Sequence, residues 1–475
     1  MAHRRKWLAG AAFVVTIAAV LFLIAATGSQ SSLAQDGIIY VDAEAPGPTH
    51  DGASWETAFT GLQAALDVVG SRQQIWVATG VYTPTQQLDT ADLRSATFQM
   101  ANEVAIYGGF DPSTGATDWE DRDWVLHESI LSGDLNGDDG DDFANREDNS
   151  YHVFYHPDGT NLDDTATLDG FTISGGNADG DESAQQDAGG GMFNYASSPA
   201  LTNVTFDGNS AGAGGGMDNT GGSAPTLTGC AFSRNVAADE GGGMHNDGSS
   251  PTLIGCTFFE NTADAGGGIY NGASSPALTG VTFAGNSANS GGGMHSDGSS
   301  PVLINCTFTG NSAAGHGGGM RSKGASAPIL TNCTFHSNRA INGTGGAIQN
   351  YESSYLTLTN CILWGDSKPE IVNFDSGSRV DVTFCDVDGG YLYPGTGNIN
   401  EDPLFLDPDN GDFHLGPGSP CIDAGSNDAL YLPEYDFEGD PRSLDGDRDG
   451  TATADMGVDE ALWHPVYLPL VLREH

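Results

Sequence analysis

Basic residues are scarce in this chain. Of 475 residues only 16 are Lys or Arg, against 63 Asp or Glu, for a formal net charge of −47. So acidic a surface repels phosphate backbones and anionic headgroups, which sets nucleic acid and the membrane surface aside as partners. Three of the basic residues stand together at Arg4, Arg5 and Lys6, and no acid precedes Asp36. They open an apolar stretch, 7–26, followed by small residues Ser32 and Ala34 before a plausible cleavage point. That layout is an export leader over 1–34. The stretch is also long enough to span a bilayer at ~1.5 Å per residue, so an uncleaved anchor stays open. No cysteine follows it closely, which excludes a lipidated anchor. The mature chain is expected outside the cell, secreted or on the surface, with no other membrane contact.

Leucine is missing from half of each internal repeat. Pro199, Pro225, Pro251, Pro276, Pro301 and Pro328 are 26, 26, 25, 25 and 27 residues apart. Each introduces the same pattern: "LTNVTFDGN", "LTGCAFSRN", "LIGCTFFEN", "LTGVTFAGN", "LINCTFTGN", "LTNCTFHSN", then a decayed "LTNCILWGD". This half-repeat also fits leucine-rich repeats. Their other half buries a helical or 3₁₀ segment through further leucines, whereas here it reads "SAGAGGGMDNTGGSAP" or "TADAGGGIYNGASSP". Glycine at that density opposes helix by roughly 1 kcal/mol per residue. The second half must be extended chain and turns, and a fixed period of this length then means a solenoid. The fold class is all-β: a right-handed parallel β-helix, each coil stacked ~4.8 Å above the last.

Alternation assigns the columns. Val204, Cys230, Cys256, Val281, Cys306, Cys333 and Cys361 point inward, as do Phe206, Phe232, Phe258, Phe283, Phe308 and Phe335, with threonines outward between them. Cysteine stands in for valine, and stacked neighbours ~4.8 Å apart suit disulfide geometry poorly. Most thiols are therefore expected to be free. Met192, Met217, Met244, Ile269, Met294, Met320 and Ile348 form a third inward column. Asparagines two residues after most of these, and at the end of each Phe-x-x-Asn, are placed to pass amide hydrogen bonds from coil to coil.

The paired Phe-x-x-Asn and Gly-Gly-[small]-[Ile/Met] motifs resemble the repeats of polymorphic outer membrane proteins, with Met often replacing Ile. No C-terminal barrel is visible, so outer-membrane insertion is not implied. The flanks, "IYVDAEAPGPTHDGASWETAFTGLQAAL", "IWVATGVYTPT" and "IYGGF" at one end, "NEDPLFLDPDNGDFHLGPGSPCIDAGSN" and "DFEGDPRSLDGDRDGTATADMGVDE" at the other, resemble exported bacterial β-helix proteins of the choice-of-anchor type. The resemblance spans nearly all of 37–461. It implies fold and export, and no particular activity.

Four segments follow the leader. Residues 37–165 make an N-terminal cap and first coils, in which helical spacing of Ala58, Leu62, Ala65, Leu66 and Val69 predicts a plug for the open end. Residues 166–390 are the repeats. Residues 391–461 form an acidic C-terminal cap, with Cys421 a packing residue, and 462–475 an apolar tail too short to span a membrane.

One position per coil changes chemistry while its neighbours stay fixed: Phe193, Asp218, His245, Tyr270, His295, Arg321 and Gln349. It points away from the core and is expected to form a solvent-facing line suited to an extended glycan. Drift of exposed positions would give the same pattern. In "DGDRDGTATAD", Asp445, Asp447 and Asp449 have the alternate spacing of a calcium loop, with Asp455 near the place of the usual glutamate. A looser run holds Asp134, Asn136 and Asp138. The histidines His245, His295, His316 and His336 share no metal spacing.

The sequence thus reads as a non-catalytic adhesive, glycan-binding or scaffold protein of the cell exterior, with polysaccharide as partner and structural calcium as cofactor. The alternative is a polysaccharide lyase or glycoside hydrolase of the pectate-lyase-like type. A lyase needs a base beside cation-binding carboxylates. Between 166 and 365 only Arg234, Arg321, Lys323 and Arg339 are basic, and the sole hint of paired acids is Asp239-Glu240 beside Asp264.

Overall fold

A computed structural model describes residues 37–140, 143–390 and 392–461. The expected leader at 1–34 and the apolar tail expected at 462–475 lie outside the described residues. Each repeat passes through four short strands, for example Thr252–Ile254, Thr257–Phe259, Thr262–Ala265 and Ile269–Gly272. The next coil begins with Ala277–Thr279, laid parallel on the first of these. Four parallel sheets result, named here leucine, phenylalanine, alanine and methionine after their inward residues, with 12, 11, 7 and 9 strands. Leu253 pairs Leu278, Phe258 pairs Phe283 and Ile269 pairs Met294, so identical columns stack.

Two features sharpen the sequence reading. The run from leucine to phenylalanine is not one strand, because the residue before each cysteine or valine is left-handed: Gly255 at φ +60°, Asn305 at φ +53°. Only glycine and asparagine take that conformation cheaply, and there the chain turns from one sheet into the next. The small-residue stretch is a strand of its own, with Ala211, Ala237, Ala263, Ala288 and Ala313 buried.

The core is columnar. The phenylalanine rings stack at 4.5–5.1 Å and within 12° of parallel. All seven cysteines are buried free thiols. Each repeat thiol donates to nearby carbonyls, as Cys256 does to Leu227 at 3.6 Å and Ile254 at 3.5 Å. Both asparagine ladders form. In the first, Asn235 Nδ2 donates to Asn261 Oδ1, and Asn261 Nδ2 to Asn286 Oδ1, each at 3.0 Å. In the second, Asn194, Asn219, Asn246 and Asn271 are linked at 2.9–3.0 Å until serine replaces asparagine at Ser296.

The N-terminal cap holds the helix Leu62–Leu66, with Leu62 and Ala65 buried against the first coil. The C-terminal cap does more than close an end. It folds back beside the later coils, where the buried Arg442 donates to Asn305 Oδ1 at 2.6 Å and Asn332 Nδ2 donates to the carbonyls of Asp455 and Gly457. Cys421 is buried, its thiol donating to Asp386 Oδ2 at 3.4 Å.

Candidate functional site

The seven variable positions lie in register on the outer face of the methionine sheet. Their expected exposure does not hold. Phe193, Asp218, Tyr270, His295 and Gln349 are buried, and His245 and Arg321 are half-buried. The cause is the first glycine of each Gly-Gly-Gly. At Gly241 (φ +67°) the chain folds back so tightly that a Cβ there would lie 2.8 Å from His245 Cα. The alanine strand is thereby brought up as a second wall, and the row becomes the floor of a corner between two sheets.

Most of the floor is satisfied internally. Phe193 stacks on Tyr155 at 5.3 Å and packs against His152 at 5.7 Å. His245 Nδ1 donates to Asp218 Oδ1 at 2.5 Å while its Nε2 lies 3.5 Å from Glu240 Oε2. Burial alone would depress this imidazole, but Asp218 and Glu240 outweigh it and hold the pKa up at about 10, so an imidazolium sits between two carboxylates. Tyr270 lies between His245 at 5.5 Å and His295 at 5.2 Å. Burial, with help from Arg321, pushes His295 down to about 4; Nδ1 meets Ser290 Oγ at 3.1 Å and Nε2 has no partner.

The row opens at one end. Arg321, Gln349, His316, Tyr351 and Phe374 line a cleft of about 180 Å³. Arg321 Nη1 donates to Ser290 Oγ at 2.6 Å, its Nε is unpartnered, and Tyr351 lies under the guanidinium at 5.8 Å. Its nearest acids, Glu352 and Asp297, act on it only at a distance, and Asp297 is bonded to Lys323 at 3.0 Å. Gln349 is 1 % exposed, with Oε1 unpartnered. Phe374 meets Tyr351 at 5.5 Å and His316 at 5.7 Å, both edge-on. Sequence reasoning missed Tyr351 and Phe374. Each directly follows an asparagine of the methionine strands, Asn350 pairing with Asn373, and that column is the signal that was there to read.

In the C-terminal cap, Asp445 and Asp447 come together with Asp423, which sequence spacing did not reveal; one carboxylate oxygen from each lies within 4.8 Å of the others. Asp449 stands apart, accepting Thr451 N–H at 2.7 Å. Asp455 is buried and accepts the N–H groups of Asp423 at 2.6 Å and Ala461 at 2.7 Å, and burial pushes it up to about 7. It serves the cap's backbone rather than the acid group. Asp134 and Asp138 are joined by Asp139 in a second such group, where Asp139 also faces Arg146 at 3.7 Å. The Asp239-Glu240 hint dissolves: Glu240 is committed to His245, and Asp264 accepts Asn289 Nδ2 at 3.2 Å.

The match of a family model agrees with this architecture. A family model described as a right handed beta helix region matches residues 271–397. No curated protein matches the sequence. Among solved structures, the chain is similar to the pectate lyase Pel9A, with 14% identity, a TM-score of 0.47, and coverage of 91% of this chain and 98% of that one. It is also similar to a rhamnogalacturonan lyase, with 13% identity, a TM-score of 0.32, and coverage of 78% and 90%. Likeness this distant has no bearing on activity. The chain has the right-handed parallel β-helix fold.

Proposed function

We propose that this is an exported or surface-held β-helix that binds a glycan without turning it over, through the cleft at Arg321 and Gln349. The observation behind the reading is the cleft itself: a guanidinium free of ion pairs and a buried amide with an open carbonyl oxygen, between two aromatic edges. Concave sites with a few convergent polar groups and aromatic walls suit sugar rings, whose C–H faces pack on aromatics while hydroxyls take the hydrogen bonds. The same end of the row argues against catalysis. Lys323 is tied to Asp297, and the two three-carboxylate groups lie elsewhere, so a base beside a cation-binding acid cluster is not assembled there. Calcium is proposed as a structural ion at Asp423, Asp445 and Asp447, where an all-oxygen donor set suits a hard cation.

A glycan array with the wild-type chain, Arg321→Gln and Tyr351→Ala tests the reading, alongside a turnover assay on whatever binds. Signal that falls at least tenfold in both variants, without product, is expected. Signal unchanged in both, or release of unsaturated or reducing sugar, would overturn it.

A further inference from the structure

The last full coil carries two acids that the repeat does not call for. Asp366 ends the first asparagine ladder in place of asparagine, and its Oδ1 accepts the Asn338 backbone N–H at 2.5 Å and Nδ2 at 2.8 Å, as an asparagine would. Glu370 stands where the coil before has Ala347 and earlier coils have glycine, since Ile371 pairs with Ile348. A side chain at this position is directed inward: a Cβ on Gly319, one coil earlier again, would lie 2.9 Å from the Phe335 ring. Both acids are buried, at 5 % and 2 % exposure.

The two carboxyls face each other. Beyond that mutual contact, Asp366 Oδ2 and both Glu370 oxygens have no partner. Burial pushes both groups up, and each raises or is raised by the acids around it, so the pair retains a proton at neutral pH. Lys368 makes no ion pair with them: its Nζ is held by Asp388 Oδ1 at 2.6 Å, and it only partly offsets the upward push on Glu370. Of the two acids Glu370 itself lines a cavity of about 290 Å³, together with Lys368, Asp388, Ile371, Val387 and Tyr393, and Asp366 joins it through Glu370. Two buried acids cost stability that apolar residues of like volume would not. Their presence beside an open cavity calls for a cationic guest.

We propose that this cavity binds a primary ammonium group, its three N–H donors on the three unpartnered carboxylate oxygens and its carbon skeleton against Ile371, Val387 and Tyr393. Three donors match three acceptors. A calcium-like ion takes six to eight oxygens, and only two carboxylates converge here, beside walls too apolar to anchor its remaining waters. The ammonium group can belong to a lysine-like alkyl chain or to an amino sugar. Binding releases the shared proton to solvent, and Asp388 and Lys368, already paired, keep their charges.

Isothermal titration of the full-length chain at pH 6 and pH 8 tests this, with n-butylamine, D-glucosamine, n-butanol and calcium chloride as probes. An amine is expected to bind and n-butanol not to. For n-butylamine, which stays protonated over this range, affinity is expected to tighten at least tenfold per pH unit, as release of one or more protons from the pair requires; glucosamine, whose own amine loses its proton in this range, is compared at pH 6. Glu370→Gln is expected to abolish binding. Preference for n-butylamine assigns an alkylammonium source, and preference for glucosamine an amino sugar. Binding of neither amine, equal binding of n-butanol, heat from calcium alone, or amine affinity unchanged in Glu370→Gln would each overturn the proposal. If Glu370→Gln does not fold, the butanol and pH comparisons on the wild-type chain still decide it.

Discussion

Replacing Asn261 gives the sharpest test of how this solenoid is held together. Asn261 Oδ1 accepts from Asn235 twice, from the backbone N–H and from Nδ2, both at 3.0 Å. Its own Nδ2 donates to Phe232 O at 2.8 Å and Asn286 Oδ1 at 3.0 Å. In Asn261→Ala the Asn235 backbone N–H loses its acceptor inside the corner, a cost of roughly 1–3 kcal/mol. Other groups keep a second partner: Asn235 Nδ2 still reaches Phe206 O, and Asn286 Oδ1 still accepts the backbone N–H of residue 261. Their lost bonds are worth about 1 kcal/mol each at most, so the total is about 1–5 kcal/mol. Asn261→Asp keeps the acceptor but sets its second oxygen against Phe232 O and Asn286 Oδ1. Only a protonated acid can donate there, so the folded state raises the pKa of this carboxyl. Its stability is then fully present below the ordinary aspartate range and is lost as pH rises through the raised value. Urea unfolding followed by circular dichroism at pH 5 and pH 8 reads both variants, with the exposed Thr279→Ala as control. The alanine variant should lose about the same amount at both pH values, and the aspartate variant clearly more at pH 8. An alanine loss no larger than the control's, or an aspartate variant indifferent to pH, would refute the ladder as a source of stability.

Three further outcomes are expected. In the C-terminal cap, burial raises Asp459 to about 6 and Glu460 to about 8, so their contribution is complete below about pH 4 and lost as pH rises through 6 to 8; the cap's thermal midpoint should fall over that window, and Glu460→Gln should flatten the fall. Gly242→Ala would place a Cβ 2.5 Å from the carbonyl oxygens of Gly267 and Thr262 and should prevent native folding, whereas Gly248→Ala meets nothing within 4 Å and should cost only the left-handed backbone, about 1 kcal/mol, by urea titration. Calcium should raise the melting temperature of the wild-type chain and not of Asp423→Asn, and a midpoint unmoved by EDTA would remove the calcium assignment.

The columns were legible because each inward position repeats one residue type at a fixed offset, and stacked parallel strands admit no other register. The four-sheet cross-section was less so. Alanine strands such as Ser210–Ala213 carry neither β-branched nor aromatic side chains, and their strand character comes from pairing with the coils above and below. The row from Phe193 to Gln349 was placed correctly in register and wrongly in exposure. Alternation fixes which way a side chain leaves its own sheet. It does not report that a neighbouring sheet, brought close by the glycine corner, stands over it. Asp423 lay beyond any motif because it joins Asp445 through the fold of the cap rather than through local spacing.

In a stacked solenoid the invariant positions therefore describe packing, and chemistry collects where one coil departs from the rest. His245 illustrates the limit of that rule: it varies from coil to coil, yet Asp218 and Glu240 consume both of its ring nitrogens and leave it nothing to offer a ligand. A departure becomes a candidate site only when its polar atoms are left unsatisfied beside open space. Gln349 with Tyr351 and Phe374 meets that condition at one corner, and Asp366 with Glu370 meets it at the end of the stack. Both lie within the last repeats, where unpaired atoms such as these meet open space; mid-stack atoms without a partner, such as His295 Nε2 and Ser296 Oγ, are buried. At this end the alanine and methionine sheets run out and the stack leaves room for a guest.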